Sequence, residues 1–190
     1  MSWRISRLTL PVLAVAFLLP VARAQNTDND GCSNLTIRGD YAFRISGSIL
    51  NSATPPVVVN YRDGVAITHF DGSGHLSQVD FVIGNGAPSV NNPADADQTS
   101  GFNTGETGTY QVNPDCTGNA EIDFPAPPAG PVALTGAVIK LMFVVSDHGR
   151  KINTVVSSLI PPHPAGAAGT PVLANIHSDA ERIGAIRDER

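Results

Sequence analysis

Apolar and polar residues alternate with a period of two through most of the chain, which predicts strands joined by tight turns. "LTIRGDYAFRISGSIL" sets Tyr41, Phe43 and Ile45 on one face and Asp40, Ala42 and Arg44 on the other. The run from Val57 to His69 is rich in β-branched residues, and "DGSG" then turns the chain into "HLSQVDFVIG". Asp71-Gly72 and Ser73-Gly74 tolerate positive φ, so this polar knot is read as a hairpin tip; a calcium loop would carry more spaced oxygen ligands and a terminal Glu. "GTYQVNPDCTGNAEIDF" predicts a second hairpin, with Tyr110 and Val112 alternating against Ala120, Ile122 and Phe124. "AVIKLMFVVS" turns through "DHGR" into "KINTVVSSLI", the most apolar hairpin, and "VLANIH" is one further strand candidate.

Between these runs the pattern breaks. Residues 84–108 hold few apolar side chains and many Gly, Pro, Asn and Asp, which predicts a long surface loop, the place to look for a lid or a contact surface. "PAPPAGP" is a connector that cannot pair inside a sheet. Residues 178–190, "SDAERIGAIRDER", read as a charged tail; Ser178 and Glu181 have capping-box spacing for a short helix, with too few apolar positions to dock it.

The N-terminal pattern is of another kind. Arg4 and Arg7 precede the apolar run "LTLPVLAVAFLLPVA", and Ala22-Arg23-Ala24 supplies a small-x-small cleavage site, so residues 1–24 are read as a signal peptide. The run is too short and too proline-broken for an anchor. The expected product is secreted or periplasmic, with a flexible leader at 25–31 and a single domain over 32–177. Loss of Arg4, Arg7 and Arg23 leaves nine basic residues against 17 acidic ones, a net charge of −8. That balance argues against nucleic acid and anionic membrane surfaces as partners. In an exported chain the pair Cys32 and Cys116 reads first as a disulfide, the alternative being two separate thiols, one of them a nucleophile.

At least seven strand candidates, joined mostly by hairpin signals, predict an all-β fold: an antiparallel up-and-down barrel of about eight strands, with a β-sandwich as the alternative. "VIKLMFVV" and "VDFVIG" are apolar on both faces, which suits an apolar lumen with an oligomer surface outside, or the inner strands of a sandwich. An outer-membrane barrel would show aromatic girdles, and the chain has three Tyr and one Trp, the latter inside the signal.

"GDYAF", "HFDGSGHL" and "GTYQVNPDCTGNAEI" resemble a set found in a family of uncharacterised secreted bacterial proteins, GxYxF, FDGxG and TGxYxVxxDCTG. The resemblance spans about residues 32–160. It implies a calycin-like or allene oxide cyclase-like barrel and a Cys32–Cys116 link, and it implies no activity, because the motifs are turn and strand residues.

Candidate site residues are few. His69 and His75 flank the hairpin tip near one end of two strands, with Asp71 or Asp80 as a third partner for metal or acid–base work; the plainer reading is solvated surface histidines. Lys140 interrupts an apolar run, either facing solvent or reaching an anionic headgroup from inside; Glu106 and Asp147 are isolated charges. No nucleophile elbow, zincin, phosphate-loop or dinucleotide motif occurs, and no metal or cofactor is expected. Asn34-Leu35-Thr36 matches a glycosylation acceptor and carries no argument. Three functions fit: a non-enzymatic barrel holding a small lipophilic ligand, an isomerase or cyclase of the allene oxide cyclase type, and a surface or matrix protein acting through its 84–108 loop.

Overall fold

A computed structural model describes residues 31–88, 101–127 and 130–184. Residues 1–30, 89–100, 128–129 and 185–190 lie outside them, and with them the expected signal peptide and most of the expected leader. Among the described residues nine strands occur: β1 (Gly39–Leu50), β2 (Val58–Phe70), β3 (His75–Gly84), β4 (Ala87–Pro88), β5 (Asn103–Val112), β6 (Thr117–Asp123), β7 (Val138–Ser146), β8 (Lys151–Ile160) and β9 (Leu173–Arg182). Every pairing is antiparallel. β1 pairs with both β2 and β9, and β2 also pairs with β3, so eight strands close into an up-and-down barrel; the two-residue β4 is an extra strand on β3. Closure rules out the sandwich, and it satisfies the backbone groups that an open edge would leave exposed.

Turn chemistry fixes the hairpins. The Asp71 carboxylate accepts N–H bonds from Ser73, Gly74 and His75 at 2.7, 3.0 and 3.0 Å, while Gly72 and Gly74 take φ of 85° and 112°. Asp115 does the same for the β5–β6 turn, accepting from the Thr117 amide at 3.0 Å and its hydroxyl at 2.7 Å. Such side-chain acceptors stabilise a chain reversal locally and so set the register of the strands that follow.

Strand polarity gives the barrel two unlike ends. At one end, called here the base, Tyr41 stacks edge-on against Phe70 at 5.5 Å, and Phe70 against Tyr110 at 4.9 Å. Leu76, Val112, Val145, Ile152 and Ala180 fill the space around them. A 3-10 turn, Asn34–Ile37, supplies the fully buried Ile37. Cys32 is disulfide-bonded to Cys116, which ties the segment ahead of that turn to the β5–β6 hairpin. The Tyr41 hydroxyl donates to the Gly149 carbonyl and accepts from Arg182, whose guanidinium also donates to Thr36 O. All three sequence motifs therefore build the base: Tyr41, Phe70 and Tyr110 come one from each.

The outside alternates in the opposite sense. Arg44, Asp63, Glu121, Lys140, Asn153 and Asp179 point outward with apolar neighbours between them, and the inside is mainly apolar. A barrel facing lipid shows the reverse, apolar outside and polar within. Among the described residues no helix is long and apolar enough to cross a membrane. Met142, Val144 and Val155 form an exposed outer stripe on β7 and β8, which accounts for the two-faced run "VIKLMFVV", and Val65 and Ile67 form another on β2.

Two expected boundaries move. Residues 178–182, taken for the start of a charged tail with a helix, are the second half of β9. Ser178 and Ala180 are buried between β8 and β1, where the barrel needs small residues, while Asp179 and Glu181 face outward; Thr154 and Ser178 share a hydroxyl bond of 2.6 Å. The loop expected at 84–108 is shorter: an Asn85-Gly86 turn with positive φ at both residues leads into β4, and β5 already begins at Asn103.

Candidate functional site

On β2 and β3 the inward-facing pairs run from the open end to the base as Arg62/Gly84, Gly64/Val82, Ala66/Asp80, Thr68/Gln78 and Phe70/Leu76. The opposite wall is aliphatic, with Ile139 beside Leu159 and Leu141 beside Val156 on β7 and β8. In the upper half these walls line a partly open cavity of about 150 Å³, bounded also by Ile45 and Ile176. The interior is thus packed at the base and open above it.

A polar layer separates the two halves. Thr68 Oγ1 donates to Gln78 Oε1 at 2.8 Å, and Asn103 Nδ2 donates to Asp80 Oδ1 at 2.8 Å. Asp80 is 3% exposed and Glu106, whose residue pairs with Gln78, is 1% exposed. A β-bulge brings them in. Gln78 pairs with Glu106 but Asp80 pairs with Asn103, so β5 carries one residue more than β3 here, with Gly105 at φ 84°. The extra residue resets the alternation and turns both Asn103 and Glu106 inward, a usual effect of a bulge.

The electrostatics follow from burial. Desolvation raises the Asp80 carboxyl above the ordinary carboxylate range, and the bond from Asn103 offsets part of the rise. At the rim, burial draws the half-buried Arg62 guanidinium below its usual value. Charging either group in a partly dry site is costly, so polar partners or a polar ligand group are favoured there.

Of the four site residues singled out from sequence, only Asp80 lines the cavity. His69 and His75 face outward at the base, on the far side of the sheet from Asp80. The His69 Nδ1 lies 2.7 Å from Asp40 Oδ1, and the His75 Nδ1 lies 3.3 Å from Asp71 Oδ2, all exposed. Inward Phe70 and Leu76 oblige their neighbours His69 and His75 to point out, so the two histidines and Asp80 form no site. Among the described residues no three metal-ligating side chains converge. Lys140 faces solvent and pairs with Glu121 at 2.9 Å, not with anything in the lumen. Asp147 lies in the β7–β8 turn, 3.9 Å from Arg150.

Sequence reasoning passed over Arg62 and Gln78, which also line the cavity. Counting back by twos from inward Phe70 reaches Arg62, and forward by twos from Leu76 reaches Gln78 and Asp80. Comparison of the chain with protein families, with curated proteins and with solved structures returns no match.

Proposed function

We propose that this protein is an exported β-barrel that holds a small lipophilic ligand in the upper half of its lumen. The observation that carries the reading is the 150 Å³ cavity with its mainly aliphatic lining above a packed base. A fold that needed only stability would have filled that space, because empty apolar volume forfeits dispersion and transfer energy. The aromatic residues of the three motifs pack at the base, which leaves the upper half of the lumen available to a ligand. Export fits the Cys32–Cys116 bond, since such bonds persist in oxidising compartments.

The test is to purify the protein from its own host and analyse it by native mass spectrometry and solvent extraction. A bound small lipophile released on unfolding supports the reading. A chain that arrives empty and takes up no hydrophobic dye counts against it.

A second reading, an isomerase or cyclase, draws on Asp80. A buried carboxyl with a raised pKa at the floor of an apolar cavity suits a proton donor or acceptor for a bound carbonyl or epoxide. Ligand recovered after incubation in heavy water separates the two. An isomerase that removes a proton from the carbon beside a carbonyl and returns one from solvent would leave deuterium at carbon, and Asp80→Asn would stop it; a carrier would return its ligand unlabelled.

A further inference from the structure

Arg62 enters the lumen from β2 at the rim, directly across from Gly84 on β3. A Cβ at position 84 would fall 3.2 Å from Arg62 Nη1 and 3.4 Å from its Cζ, so glycine leaves the seat over which the guanidinium lies. Asn60, two residues nearer the rim on the same face, puts its Oδ1 3.1 Å from that same point. That oxygen is buried and accepts no hydrogen bond among the described residues. Rotation of the amide presents its NH2 there instead, since oxygen and nitrogen exchange places. Deeper in, Asp80 is engaged by Asn103, and the wall facing Arg62 is Ile139, Leu141, Val156 and Leu159. The rim thus offers a planar cation and an amide, and the interior offers hydrocarbon.

Resting on the lumen-binding reading above, we propose that the ligand is a small carboxylate amphiphile, its tail against Leu141 and Val156 and its carboxylate on Arg62 over Gly84. A guanidinium carries five N–H donors in a planar fork that matches the geometry of a carboxylate. The chain is acidic overall, with 17 acidic residues against 12 basic, so affinity for an anion has to come from such a local cation. A cavity of about 150 Å³ holds roughly a benzene ring, which sets the enclosed tail at about six to eight carbons. Straight-chain fatty acids and aryl-alkanoic acids share this chemistry.

The experiment is isothermal titration at pH 7 with octanoate, 3-phenylpropanoate and 1-octanol, on the wild type, Arg62→Met and Gly84→Val. The wild type should bind one or both carboxylates about tenfold or more tightly than octanol, as expected for a charge-assisted bond; whichever carboxylate wins identifies the source. Arg62→Met should erase that advantage while leaving octanol affinity unchanged, and the unchanged octanol affinity reports that the barrel is folded. Gly84→Val, which keeps the charge but blocks its seat, should lose most of the same advantage and serves if Arg62→Met does not fold. Octanol binding with no preference for carboxylates, or carboxylate affinity untouched in both variants, overturns this inference alone. Failure of all three ligands to bind overturns the lumen reading together with it.

Discussion

Ala137→Leu asks whether the lumen is real space. Ala137 lies just ahead of β7, half-buried, with its side chain on the cavity wall. At about 24 cal/mol per Å³ of buried cavity, filling the whole partly open 150 Å³ space would contribute at most about 3.6 kcal/mol. One substitution recovers part of this. Leucine adds three carbons over alanine, each contributing about 0.8 kcal/mol on burial. Against that total of about 2.4 kcal/mol stands about 0.5–1 kcal/mol of lost rotamer freedom. The net expectation is a stabilisation of about 1.5 kcal/mol, with octanol affinity reduced because the added side chain occupies the ligand's place. Urea unfolding at equilibrium reads the first quantity as a rise in midpoint at unchanged slope, and calorimetric titration reads the second. If the interior were already full, the same change would overpack it and cost about 1–3 kcal/mol. Destabilisation of that size, or stabilisation without loss of ligand affinity, would refute the reasoning.

Further expectations follow from the base, the polar layer and the surface. Asp80→Asn keeps the acceptor for Asn103 but removes the buried acid. Because folding raises the Asp80 pKa, wild-type stability falls as pH climbs above the ordinary carboxylate value of about 3.9. The variant should therefore be more stable at neutral pH and equal to wild type below about pH 4, as a urea series at several pH values would read. Removing the Cys32–Cys116 bond, which closes a loop of 84 residues in sequence separation, should cost about 4.5 kcal/mol by the chain-entropy relation, measured as the double serine variant against oxidised wild type in guanidinium. Phe70→Ala, between the rings of Tyr41 and Tyr110, should cost about 3–5 kcal/mol by the same assay. Lys140→Ala should change stability by less than about 1 kcal/mol and leave carboxylate affinity as it is, since its partner Glu121 lies outside the barrel.

How much of this was readable from sequence depends on the strength of the local signal. β1, β2, β3 and the β7–β8 hairpin announced themselves because large apolar residues alternate cleanly and Asp-Gly or Gly-rich turns punctuate them. The disulfide was expected from a single pair of cysteines in a chain read as exported. β9 was half missed because its inward residues in that half, Ser178 and Ala180, are small and carry little hydrophobic contrast, while Ser178 and Glu181 mimic a helix cap. The beginning of β5 was hidden by its composition, "NTGETG", in which burial depends on closure of the barrel and on the Gly105 bulge. No period-of-two count predicts that Asn103 and Glu106 share a face, since the bulge breaks the count. His69 and His75 drew notice for their chemistry, but parity with Phe70 and Leu76 had already placed them outside. Arg62 lay on the inward count all along, and a charged residue there reads as an interruption until the walls around it are known.

The most direct measurement is a crystal structure of the protein under xenon pressure, since dry apolar cavities admit the gas. Electron density for xenon between the Leu141–Val156 wall and the facing β2–β3 wall, above the Asp80 layer, is the expected result. Side chains meeting across that space, with no gas atom inside the barrel, would contradict the account.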